Sequence, residues 1–140
     1  MLARHLCALL VSTLLMTGSA FARTSSPEGA EVYFISPGNG DTVTSPVTVR
    51  FGLKGMGVAP AGVYRSNTGH HHLLIDLESP PALEQPLPAD ANHQHFGGGQ
   101  TEVTIDLSPG KHTLQLIMGD NTHIPHDPPV MSEKITITVK

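Results

Sequence analysis

Apolar and polar residues alternate along most of the chain, with no stretch of helical period. Val47, Val49, Phe51 and Leu53 alternate with Thr48, Arg50 and Gly52, the period of a strand with one buried face. Glu31 to Ser36 precedes it as a first strand, separated by the turn Pro37-Gly38-Asn39-Gly40-Asp41. Proline fixes φ in such a turn, and glycine and asparagine accept positive φ. Further on, Val103, Ile105 and Leu107 alternate with Thr104, Asp106 and Ser108. After the tight turn Ser108-Pro109-Gly110-Lys111, residues His112, Leu114, Leu116 and Met118 alternate with Thr113, Gln115 and Ile117. These two runs predict a β-hairpin. Ile135, Ile137 and Val139 form a last strand.

The run Gly69-His70-His71-His72-Leu73-Leu74-Ile75-Asp76-Leu77 is a strand with three histidines at its entrance. Alternation places His71, Leu73, Ile75 and Leu77 on one face, expected to be buried. His70, His72, Leu74 and Asp76 fall on the other. Glu78 to Gln100 is a long connection with Pro80, Pro81, Pro86 and Pro88, which oppose both helix and central strand. Six or seven short strands with turn signals between them predict an all-β fold, an immunoglobulin-like Greek-key sandwich of about seven strands.

Strand directions in that fold decide where the histidines go. If the Val47 strand finishes at an upper end, the histidine strand starts there. The Val103 strand also starts there, with His93 and His95 just before it. The Leu114 strand returns upward, which puts the loop with Asp120, His123 and His126 at the same end. His112 lies at the lower end and reads as structural.

The first residues carry a different message. Arg4 and His5 precede an apolar run, Leu6 to Met16, followed by Ala20-Phe21-Ala22, a small-x-small cleavage signature. The run is shorter than the ~18 residues a membrane anchor needs. A signal peptide is expected over 1–22, a flexible leader over 23–30 and a single sandwich domain over 31–140. The expected location is the periplasm, with no membrane span once the signal is removed. Cys7 falls within the signal, so a mature site must use imidazole, carboxylate or thioether ligands. With 8 basic and 12 acidic residues and a formal charge of −4, there is no basic patch, and nucleic acid is not an expected partner.

Histidine is the anomaly: all 9 except His5 follow residue 22. His70 and His72 point the same way from one strand, as two ligands to one ion would. His93-x-His95 repeats the spacing, and Gly97-Gly98-Gly99 suggests a backbone passing close to something. His123 and His126 sit with Asp120 on a proline-stiffened loop, although Asp120 also reads as a turn cap. His71 faces inward and reads as a buried, hydrogen-bonded or supporting group. Met118 faces the core, where a methionine ordinarily packs and a thioether favours Cu(I).

Four segments together resemble a bacterial exported family catalogued as domain of unknown function 4399. They are Gly-His-His-His-Leu-Leu-Ile-Asp (69–76), His-Phe-Gly-Gly-Gly-Gln-Thr-Glu (95–102), Leu-Ser-Pro-Gly-Lys-His-Thr-Leu-Gln-Leu (107–116) and Gly-Asp-Asn-Thr-His-Ile-Pro-His (119–126). The resemblance implies a small periplasmic domain and brings no established activity. The opening Ser-Pro-Gly-Asn-Gly-Asp-Thr-Val (36–43) is also similar to the first turn of many bacterial immunoglobulin-like domains.

The leading expectation is a histidine-rich metal-binding protein, with copper the expected ion and zinc the alternative. Its ligands would come from His70, His72, His93, His95, His123 and His126. It would buffer the ion, or exchange it with an envelope protein that receives or donates it. Six candidates exceed a usual four-ligand site, so some support the others or two ions bind. The alternative is a metal-independent envelope interaction or scaffold module, with outward Leu74 and Ile117 as its partner surface. An enzyme is the weaker expectation. An oxidative histidine brace needs an N-terminal histidine, where cleavage gives Arg23, and Ser66 and Ser79 lack a nucleophile context. A proton-driven switch of the clustered histidines is a further reading.

Overall fold

The computed structural model describes residues 23–140, so the expected signal peptide lies outside the described residues. Among the described residues, nine strands form a two-sheet sandwich: β1 (Glu31–Ser36), β2 (Thr42–Val43), β3 (Val47–Lys54), β4 (Gly57–Val58), β5 (Thr68–Ile75), β6 (His93–His95), β7 (Glu102–Ile105), β8 (Gly110–Gly119) and β9 (Ile135–Val139). One sheet has the order β1-β3-β7. The other has the order β2-β9-β8-β5-β4, with β6 also paired to β5. The chain crosses between the sheets at β1–β2, β2–β3, β3–β4, β6–β7 and β7–β8, as the strands of a Greek-key sandwich do. Among the described residues no helix is long and apolar enough to cross a membrane.

The core is built from the alternating inward positions of both sheets. Val47, Val49 and Phe51 of β3 face Leu73 and Ile75 of β5, Leu114, Leu116 and Met118 of β8, and Ile137 and Val139 of β9. These are the faces that the sequence periodicity marks.

The predicted hairpin between the Val103 and Leu114 runs does not form. β7 pairs with β3, whereas β8 pairs with β5 and β9. The chain arches from one sheet to the other between them, through the same proline-glycine turn. Alternation and a tight turn specify a reversal of direction, and an arch satisfies both as well as a hairpin does.

A second correction concerns the outer face of β5. Leu74 and Ile117 are buried, at 2% and 0% exposure, so they offer no partner surface. Leu87, Leu83, Leu77 and Met131 cover them in a small second core. The proline-rich connection supplies most of this cover. It is too proline-rich to join a sheet interior, yet it carries leucines spaced to sit on one. Strand β5 is therefore buried on both faces from Gly69 to Ile75, and His70, His71 and His72 are enclosed.

Candidate metal centre

His70 and His72 project from the outer face of β5. Strand β6 pairs antiparallel with β5 in the register His72 opposite His95 and Leu74 opposite His93. That register sets the His95 ring beside the His72 ring. On the other edge β8 pairs with β5, and Gly119 lies opposite His70. The chain then turns tightly. The Asp120 amide donates to the Ile124 carbonyl at 2.9 Å, and the His123 amide donates to the Asp120 carbonyl at 2.9 Å. This turn folds His123 back over β5.

Four imidazoles thus meet. One ring nitrogen each from His70, His72, His95 and His123 can be chosen so that all lie within 4.8 Å of one another. His70 Nε2 is 3.0 Å from His72 Nε2 and 3.2 Å from His123 Nδ1. Five of the six ring-centroid separations fall between 4.8 and 5.1 Å, and the sixth, His72 to His123, is 6.2 Å. A tetrahedral ion with bonds of ~2.0 Å to nitrogen would set the nitrogens roughly 3.3 Å and the centroids roughly 5 Å apart. The two nitrogen separations about His70 and five of the six ring separations are close to these values, and the His72–His123 pair is wider. The four histidines form a group able to hold a metal ion.

His93 and His126 fall outside this group. His93 Nδ1 is 2.8 Å from Asp90 Oδ1, a residue of its own connection. His126 is fully buried, and its Nε2 lies 3.1 Å from the Thr68 carbonyl oxygen. His112, at the lower end, pairs with Asp76 at 2.7 Å, which holds its pKa above the ordinary value.

Burial and crowding favour the neutral form of His70, His72 and His95. Burial, then the neighbouring His95 and His123, lower the His70 pKa to about 4. Burial, then His70, His95 and His123, lower that of His72 to about 3. The His95 pKa is lowered by burial and by His123. Imidazoles with free lone pairs at neutral pH are what a cation requires. The Asp120 carboxylate partly offsets the lowering at His70. Burial works to raise the Asp120 pKa. The hydroxyls of Thr24 and Thr122 and the amides of Thr122 and Ile124 outweigh it and lower the pKa overall, so Asp120 stays charged beside the cluster. The Nδ1 atoms of His70 and His72 find no hydrogen-bond partner among the described residues. Metal-binding histidines usually anchor that second nitrogen, and this pair is positioned by packing instead.

Three features outside the histidine pattern hold the site. His123 has φ of 70°, a conformation disfavoured for a side chain with a Cβ. Asp120 Oδ1 steadies this turn by accepting from the Thr122 and Ile124 amides, and the Leu87 amide donates to the His123 carbonyl at 2.9 Å. Arg23 to Ser26 run along residues 125–128. Thr24 Oγ1 donates to Asp120 Oδ2 at 2.7 Å, and Arg23 donates to the carbonyls of Pro125 and His126. Two glycines give the rings room. A Cβ on Gly97 would collide with the His95 ring, and one on Gly119 would lie 2.9 Å from His72 Nε2 and 3.3 Å from the His123 Cα. The glycine run of 97–99 signals this close approach in the sequence. Gly119 carries no such signal, because its role appears only once β8 is paired with β5. We expect Gly119→Ala to weaken metal binding by about tenfold or more, since it pushes on a ligand atom. Competition titration, with circular dichroism to confirm an intact fold, checks this.

The family model described as Domain of unknown function (DUF4399) matches residues 49–140. The chain belongs to the DUF4399 family. The matched span contains all four clustered histidines and both glycines that admit them. No curated protein matches this DUF4399 chain significantly. No solved structure does so either.

Proposed function

We propose that this DUF4399 protein is a periplasmic copper-binding protein that buffers the ion or passes it to an envelope partner. The observation that carries the reading is the convergence of four imidazoles, with one ring nitrogen from each lying within 4.8 Å of the others. The ligand set supports copper. It has no thiolate, and among divalent first-row ions an all-nitrogen site binds Cu(II) most tightly by the usual order of affinities. The site also suits exchange. His70 and His72 are enclosed, whereas His95 is exposed and His123 half-buried, so an ion can enter or leave from one side. The signal-like segment over 1–22 supports export.

The test is a competition titration of residues 23–140 with Cu(II) and Zn(II) against chromophoric chelators near neutral pH. Electron paramagnetic resonance on the Cu(II) form accompanies it. We expect one tightly held ion, Cu(II) tighter than Zn(II), with hyperfine splitting from imidazole nitrogens. Binding weaker than micromolar without nitrogen splitting would overturn the reading.

A further inference from the structure

Strand β5 has two chemically different faces at its start. The outer one carries the four-histidine cluster. The core face carries Gly69, then His71, then Leu73 and Ile75. His71 is fully buried with its ring against Phe51, centroids 5.1 Å apart. Neither of its ring nitrogens makes a well-aligned hydrogen bond among the described residues; a weak one to the Gln100 backbone works against the lowering of its pKa by burial. Its neighbour across the ladder is Met118, also fully buried.

His126 closes this end of the core. A Cβ on Gly69 would lie 2.8 Å from His126 Cε1 and 3.5 Å from the Met56 Cε, so an imidazole and a thioether side chain meet above that glycine. With Nε2 3.1 Å from the Thr68 carbonyl, His126 donates its proton there. The lone pair of the neutral ring is then on Nδ1, which is buried without a partner among the described residues. One nitrogen anchored to a carbonyl and the other left free is the arrangement of a metal-binding histidine. A buried polar atom left unpaired costs about 1–3 kcal/mol, and His126 Nδ1 and at least one nitrogen of His71 are in that position.

The geometry points to a second metal site on the core face of β5, formed by His71, His126, Met118 and Met56, that takes Cu(I). Two imidazoles and two thioethers are a soft, neutral ligand set, which suits Cu(I) over Cu(II) or Zn(II). A single positive charge is also the less costly one to place in an apolar core. Met56 is half-buried at the margin of the core and gives the ion a way in. The two faces thus differ in kind: all-nitrogen beside the Asp120 carboxylate outside, mixed nitrogen and sulfur inside. This inference does not rest on the four-histidine reading.

The experiment is anaerobic Cu(I) titration of residues 23–140, with X-ray absorption at the copper edge. It is repeated on Met56→Leu/Met118→Leu, a swap that nearly conserves volume and leaves the fold intact. We expect sulfur scattering in the wild-type Cu(I) form. The double variant should lose it, bind that Cu(I) at least tenfold more weakly, and keep its Zn(II) and Cu(II) affinities. Cu(I) bound through nitrogen alone in the wild type would overturn the proposal whatever the variant does. So would an unchanged Cu(I) affinity in a folded double variant. If the four-histidine reading fails instead, Zn(II) and Cu(II) binding are weak while sulfur scattering persists.

Discussion

His72→Ala is expected to lower Cu(II) affinity by about a hundredfold or more, the largest effect of any single substitution at the cluster. Losing a group that only supports a metal ligand typically costs ten- to a hundredfold, and His72 is a candidate ligand itself. It sits on the central strand with His70 Nε2 at 3.0 Å, and the His95 ring faces it across the ladder at 5.0 Å. It is also 1% exposed, so no outside group or mobile side chain can replace the lost nitrogen. His123→Ala should cost about tenfold or more, less than His72, because His123 lies on a half-buried turn where water can take the ligand position. His93→Ala should leave affinity within about threefold, since His93 is turned to Asp90. Competition titration of the three variants, each checked for fold by thermal melting in chelator, decides the matter. Equal affinity in all three would mean that the rings meet without sharing an ion.

Much of this site was legible in the sequence because a strand has only two faces. The spacing of His70 and His72 forces their side chains together, and the direction of β8 carries the 119–126 loop to the same end. His95 was legible as a neighbour but not as a cross-strand partner: a three-residue strand bracketed by prolines and glycines has too little periodicity to be seen. The proline-rich connection hid the rest. Its leucines cover Leu74 and Ile117, which alternation alone assigns to solvent, and its Leu87 amide holds the His123 turn. His71 illustrates a different limit. Parity placed it correctly in the core, but how well its ring nitrogens are hydrogen-bonded depends on which backbone groups lie around it. The arch between β7 and β8 was hidden for a related reason, since a turn residue fixes local geometry and not the identity of the pairing strand.

The metal-free protein is expected to lose stability steeply between pH 6.5 and pH 4. In the unfolded chain a histidine protonates near pH 6.5. In the folded chain burial lowers His70 and His71 to about 4 and His72 to about 3. Across that interval the unfolded state binds more protons, so the free energy of unfolding falls as pH falls. The stabilisation is complete above pH 6.5 and is lost on descent through the folded values. Each pKa unit corresponds to ~1.4 kcal/mol, so one of these histidines contributes on the order of 3 kcal/mol. The contributions of His70 and His72 are not additive, because charging one ring discourages the other. Even so, the sum is a large part of a typical domain stability of about 5–15 kcal/mol. His112 runs the other way: Asp76 raises its pKa, so its contribution is present below pH 6.5 and fades as pH rises through its folded value. Asp120, with a lowered pKa, holds its contribution at pH above its ordinary value near 3.8 and loses it below. Urea unfolding in chelator at intervals from pH 8 to pH 4 measures the slope. His71→Leu should flatten part of the acid limb, and Asp76→Asn should remove the shallow alkaline one. An unfolding midpoint unchanged between pH 7 and pH 4.5 would mean that the three imidazoles are hydrated in solution, and the enclosed cluster would lose its physical basis.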